Sequence, residues 1–178
     1  DATIPQGFTD VWGRIAADVA LYDTRGCMSP ALVFTTHPLD IAVPALSAAM
    51  ERAEGRWPRG ELSAYEGAKI RERVVLGKAV GRVEQGQHFA VVGIPSAFAT
   101  ASALPRCIQV VHIDTHEPFM AFVRAHASQL STIGTNLANT TCLRQIGPSI
   151  RICALGRMQR PPIQRLHDGI QWLEELFV

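Results

Sequence analysis

The sequence lacks a surplus of either charge: seventeen Lys and Arg stand against sixteen Asp and Glu, a formal charge of +1. With no spare basic residues to neutralise phosphates, non-specific nucleic-acid binding is set aside as a default. No uninterrupted apolar run approaches the roughly 18–20 residues of a membrane-spanning helix, because Arg, Asp, His, Gly or Pro breaks every candidate. No membrane span is expected. CxxC pairs and other metal-type spacings are missing too. The four cysteines, Cys27, Cys107, Cys142 and Cys153, lie far apart in a chain too large to need disulfide staples. Reduced thiols in a cytoplasmic protein are the plain reading. Nor does a GxGxxG follow any strand pattern, so the chain carries no dinucleotide fingerprint of its own. The first residues, Asp1-Ala2-Thr3-Ile4-Pro5, offer neither an initiator Met nor a signal pattern, and read as a processed chain or a piece of a larger one.

What is present is the composition of a folded domain. The 178 residues are 47% hydrophobic and 19% charged, which suits one globular unit of ordinary size and argues against disorder. Residues 1–178 are read as a single domain.

Periodicity divides the chain into alternating elements. Thr9-Asp10-Val11-Trp12 starts a helix with an N-cap, Ile15, Ala16 and Val19 continue it at helical spacing, and it stops near Tyr22. A turn at 23–26 and a tight loop from Cys27 to Pro30 lead into a buried strand at 31–34. Thr36-His37-Pro38 opens a second helix running to about Gly55, and residues 61–77 suit a solvated third. Strands are predicted at 89–94, 107–113, 131–137 and 149–154, with a helix over 118–130. This alternation predicts an α/β fold of three αβα layers around a mostly parallel sheet. The Arg- and Pro-rich tail from Gly147 to Gly169 is irregular until Trp172 and Leu173 resume a helix, and such a tail wraps a surface or completes a site.

The chemistry points first to Cys27. It follows a glycine, precedes Ser29-Pro30, and lies on a loop between a helix and a buried strand. There a thiolate could be presented with backbone N–H groups able to stabilise it and a later oxyanion. The other three cysteines sit in or beside apolar runs and read as small buried hydrophobes. His112 and His116, with Asp114 and Glu117, make an unconvincing metal set, because His112 lies in a predicted strand and His116 past its end. No metal is expected. His167-Asp168-Gly169 is a turn by default. Arg151, Arg157, Arg160 and Arg165 give the tail a positive patch that could attract an acidic ligand.

Three segments carry a family likeness. Asp18-Val-Ala-Leu-Tyr-Asp-Thr-Arg-Gly-Cys27-Met-Ser-Pro30 resembles the cysteine loop of the fatty acyl-CoA reductases of bacterial bioluminescence, a branch of the aldehyde dehydrogenase superfamily. Trp57-Pro-Arg-Gly60 with Glu61, Leu62 and Glu66 agrees with it. So does Arg151-Ile-Cys-Ala-Leu-Gly-Arg-Met-Gln-Arg-Pro-Pro162 followed by His167-Asp168-Gly169. The resemblance covers residues 18–178. It implies a catalytic domain in which Cys27 takes the acyl group from an acyl-CoA substrate as a thioester, and NADPH reduces that thioester to a fatty aldehyde. Arg25, Ser29, His167 and Asp168 fall on the matching motifs as supporting residues. Arg25 either holds the loop or meets a substrate phosphate; His167 and Asp168 either close over the site or form a terminal turn.

In that family a nucleotide-binding domain precedes the cysteine loop, whereas 26 residues precede Cys27 here. The expectation is a catalytic half, with NADPH bound mainly by a domain absent from this chain and with a companion domain or a homo-oligomer as partner. Two rival readings stay open. One is another chemistry of the superfamily, acyl phosphate reduction or aldehyde oxidation. The other is a non-catalytic assembly module associating through the apolar end at Trp172, Leu173, Leu176, Phe177 and Val178.

Overall fold

The computed structural model describes residues 7–147 and 149–163. The first helix, α1 (Val11–Ala20), starts where Asp10 accepts a hydrogen bond from the Gly13 N–H at 2.7 Å. A loop then leads to β1 (Leu32–Thr35), followed by α2 (Leu39–Arg56), α3 (Ala64–Val80), β2 (Arg82–Gln85), β3 (Ala90–Gly93) and β4 (Cys107–His112). After these come α4 (Glu117–His126), β5 (Thr132–Thr135), α5 (Thr141–Ile146) and β6 (Arg151–Ala154).

Four strands form a sheet in the order β1-β4-β3-β2. β4 runs parallel to both β1 and β3, with Leu32 opposite Gln109 and Ala90 opposite Cys107, while β2 is antiparallel to β3. Period-2 alternation then sorts the apolar side chains between two faces. Val33, Val91, Ile108 and Val110 meet α1 and α2 through Ile15, Val19, Val43, Leu46 and Met50. Leu32, Phe34, Ala90, Val92, Cys107 and Val111 turn to the other side, against Ile70 and Val74 of α3 and Phe119 of α4. Helices therefore cover both faces, giving the α/β three-layer arrangement with a mostly parallel sheet. Seating α3 so closely requires Gly77, since a Cβ there would lie 2.3 Å from Val92 Cγ1.

Strand alternation suggested one sheet; the structure has a second, the parallel pair β5-β6. Its own small core joins Met120 and Val123 of α4 to Ile133, Leu143 and Ile150. Two elements lie outside the sequence reading. β2 has only Val83 as an apolar residue, because an antiparallel edge strand keeps one side polar. α5 is six residues long, too short for a periodic signal. The third helix begins at Ala64 rather than Glu61, because Ser63 caps it: the Glu66 N–H donates to Ser63 Oγ and the Ser63 N–H donates back to Glu66. Among the described residues no helix is long and apolar enough to cross a membrane.

Candidate active site

The loop that carries Cys27 begins with two residues in the left-handed region, Asp23 (φ 52°) and Thr24 (φ 61°). Each costs about 1–2 kcal/mol for a side chain other than glycine, so the surroundings must hold them. Arg106, itself at φ 47° and 1% exposed, does so from the start of β4. Its Nε donates to Asp23 Oδ1 at 2.5 Å, and its Nη2 donates to the Ala20 and Trp57 carbonyls at 3.1 and 2.5 Å. Its backbone N–H reaches Thr24 Oγ1 at 3.3 Å. Asp23 also accepts from the Gly60 N–H at 2.9 Å.

Arg25, which also lines the cavity, makes a fork onto Glu66 of α3. Nε and Nη2 donate to the two Glu66 oxygens at 3.1 and 3.2 Å, and Nη2 also reaches the Glu61 carbonyl at 2.6 Å. These contacts hold the Glu66 carboxyl down at about 2, with Arg25 the largest cause, and raise Arg25 further. These contacts fit the loop-holding reading of Arg25, and its place in the cavity lining leaves the ligand reading open.

The Ser29 N–H donates to the Gly26 carbonyl at 2.9 Å, closing a turn whose two central residues are Cys27 and Met28. Cys27 is exposed, and among the described residues neither its N–H nor that of Met28 meets an acceptor. The Cys27 carbonyl accepts from Ser131 Oγ at 2.5 Å, tying the turn to the start of β5. Ser29 Oγ accepts from Gln159 Nε2 at 2.6 Å, and the same amide donates to the Asp18 carbonyl at 2.9 Å. The Asp18 carboxylate in turn accepts from the Gly156 and Met158 N–H groups at 2.7 and 3.1 Å.

All three segments singled out in the sequence thus meet around one turn: 57–66 through Arg25 and Arg106, and 151–162 through Asp18 and Gln159. The expected positive patch is corrected on one point. Arg151 points inward, donating to the carbonyls of Arg157, Met158 and Arg160, and so braces the loop that Asp18 clasps. Arg165, His167, Asp168 and the apolar end from Trp172 lie outside the described residues.

Cys27 opens on a cavity of about 750 Å³ walled by the β1 edge, β5, α1 and the start of α4. His112 Nδ1 lies 3.1 Å from the His37 carbonyl and Nε2 3.3 Å from Asp114, and among the described residues no three His, Cys, Asp or Glu side chains are grouped so as to hold a metal ion. Cys107 is buried as expected, and burial pushes its thiol up to about 11. Cys142 is exposed, contrary to expectation, because α5 turns that position to solvent. Sequence reading missed Asp18, Asp23, Arg106, Ser131 and Gln159 as site-building residues. Two of them left a trace. Asp18 interrupts the apolar stripe of α1, and Arg106 directly precedes an apolar strand; a charge in either place needs buried partners.

An exposed cysteine on a braced turn between a helix and a sheet-edge strand, at the mouth of a cavity, defines the class of α/β proteins suited to cysteine chemistry. A family model described as acyl-CoA reductase (LuxC) matches residues 4–178, and the chain belongs to that family of acyl-CoA reductases. No curated protein matches it in sequence.

Proposed function

We propose that this chain is the cysteine-bearing catalytic domain of an acyl-CoA reductase and that Cys27 accepts the acyl group. The supporting observation is the turn itself. Its two central N–H groups are left without acceptors, as such turns leave them, beside an exposed thiol at the cavity mouth. Cys27 Sγ attacks the thioester carbonyl carbon, forming a C–S bond, and the negative charge on the carbonyl oxygen is received by the Cys27 N–H. Collapse breaks the bond to the coenzyme A sulfur. The proton given up by the Cys27 thiol is taken by that departing sulfur, so the half-reaction is balanced. Ser29 and Arg25 act as positioning residues, one closing the turn and the other pinning its entry to α3.

NADPH is the reductant this reading implies for the second half. The β1–α2 connection does not fit it: the chain passes through Thr36-His37-Pro38, with no glycines, and Pro38 at the helix start has no N–H for a phosphate. NADPH would be held by other residues, and the step assigned to this chain is acyl acceptance. Intact-mass analysis with peptide mapping after mixing the chain with dodecanoyl-CoA tests this. One acyl adduct on Cys27, lost in Cys27→Ser, is the expected result. Equal labelling of Cys107, Cys142 and Cys153 would overturn it, and so would preferential reaction with an acyl phosphate.

A further inference from the structure

The cavity has a far end as well as a mouth. β1 runs away from the Cys27 turn, and its third residue, Phe34, faces the α3 side of the sheet. Because β4 lies parallel to β1 with Thr35 opposite His112, the chain leaves β4 at that same far end and enters α4 there. Phe119 and Phe122 of α4 consequently bracket Phe34, with ring centroids 5.3 and 5.4 Å away. All three rings line the cavity, together with Ile113, Val123 and Ile133. Strand rise is about 3.3 Å per residue, so the three residues from Leu32 to Phe34 carry the cleft about 7–10 Å along the sheet edge.

Resting on the reading of Cys27 as acyl acceptor, we infer that the alkyl chain of the acyl group lies along the β1 edge and that Phe34, Phe119 and Phe122 form its stop. The occupant is an unbranched acyl chain. The three rings with Ile113, Val123 and Ile133 give this end an apolar, aromatic wall, although Thr35, His37 and His116 also line the cavity there. These rings make chain length the selected property. Each further methylene that stays buried improves binding about fourfold, and one that meets a ring gains nothing.

The test compares octanoyl-, dodecanoyl- and hexadecanoyl-CoA with the full chain and two variants of Phe122, the one of the three rings that packs against none of the buried core clusters. Phe122→Ala should raise the hexadecanoyl-to-octanoyl ratio of Cys27 acylation rates at least tenfold, and Phe122→Trp should lower it at least tenfold. Ratios unchanged within twofold in both variants overturn the inference, and opposite shifts rule out a folding defect as the cause. Calorimetric binding of the same three acyl-CoAs to Cys27→Ser, with and without the Phe122 changes, separates this inference from the nucleophile reading. Aromatic-dependent length selection in that background, with no adduct on Cys27 in the parent, supports the stop and removes Cys27 as acceptor. An adduct on Cys27 with no length selection does the reverse, and no binding of any of the three overturns the stop.

Discussion

Arg106→Leu is expected to lower the unfolding free energy by about 3–5 kcal/mol, the usual cost of breaking a buried ion pair from one side. The guanidinium is 1% exposed and serves Asp23 and two backbone carbonyls at once. Leucine fills much of the volume but leaves Asp23 with only the looser Arg25 contact at 3.9 Å and takes the Arg106 donor from the Ala20 and Trp57 carbonyls. Asp23 and Thr24 would then have less to hold them in the left-handed region, and relaxing that backbone moves the Cys27 turn that follows. Arg106→Lys keeps the charge, but a single ammonium cannot reproduce a planar fork spread over three acceptors, so it should restore only part of the loss. Urea unfolding of the parent and both variants measures this, with the Cys27 acylation rate followed on the still-folded protein. Stabilities within about 0.5 kcal/mol of the parent for Arg106→Leu would show that the pair does not brace the loop.

The limits of sequence reading follow from which forces are local. α1, α2 and the strands β1, β3 and β4 were legible because each buries a regular stripe or run, and period alone reports that. β2 and α5 were not, one being half polar and the other too short. The second sheet was also hidden, since periodicity says that β5 is a strand but not which edge it joins. At the site, Cys27 could be singled out from its neighbours in the chain. Its supports could not, because Arg106 meets Asp23 across 83 residues and Gln159 meets Ser29 across 130. Arg25 shows the point most plainly. As an exposed Arg beside a turn it could serve a ligand or the fold, and its fork onto Glu66 of α3 is a contact that no local pattern reports.

The clasp at Asp18 should be read out as a pH dependence of stability with an unusual sign. Burial raises its carboxyl from the ordinary 3.8 to about 6, and the opposing hydrogen bonds from Gly156 and Met158 and the charge of Arg151 do not cancel that effect. A carboxyl held higher in the folded than in the unfolded chain binds its proton more tightly when folded. Its contribution to stability is therefore full below about 3.8 and is lost as pH rises to about 6. The loss is on the order of 3 kcal/mol, from a gap of about two pH units at about 1.4 kcal/mol each. Asp18→Asn has no such titration. The stability of the parent minus that of Asp18→Asn, taken from urea unfolding at pH 4 to 7.5, should fall through this window and level off above it. A difference that rises with pH would mean that the Gly156 and Met158 N–H groups outweigh burial. The clasp itself responds oppositely to its energy. Protonation turns one of the two acceptor oxygens into a hydroxyl, so one of those N–H groups loses most of its bond in acid. The 156–159 loop, and through Gln159 the Ser29 corner of the Cys27 turn, is thus held best in the pH range where holding it costs the most. That is the pattern expected of a charge kept for positioning, and faster amide exchange at Gly156 and Met158 below pH 6, after correction for intrinsic rates, would distinguish it from a buried acid that merely fills space.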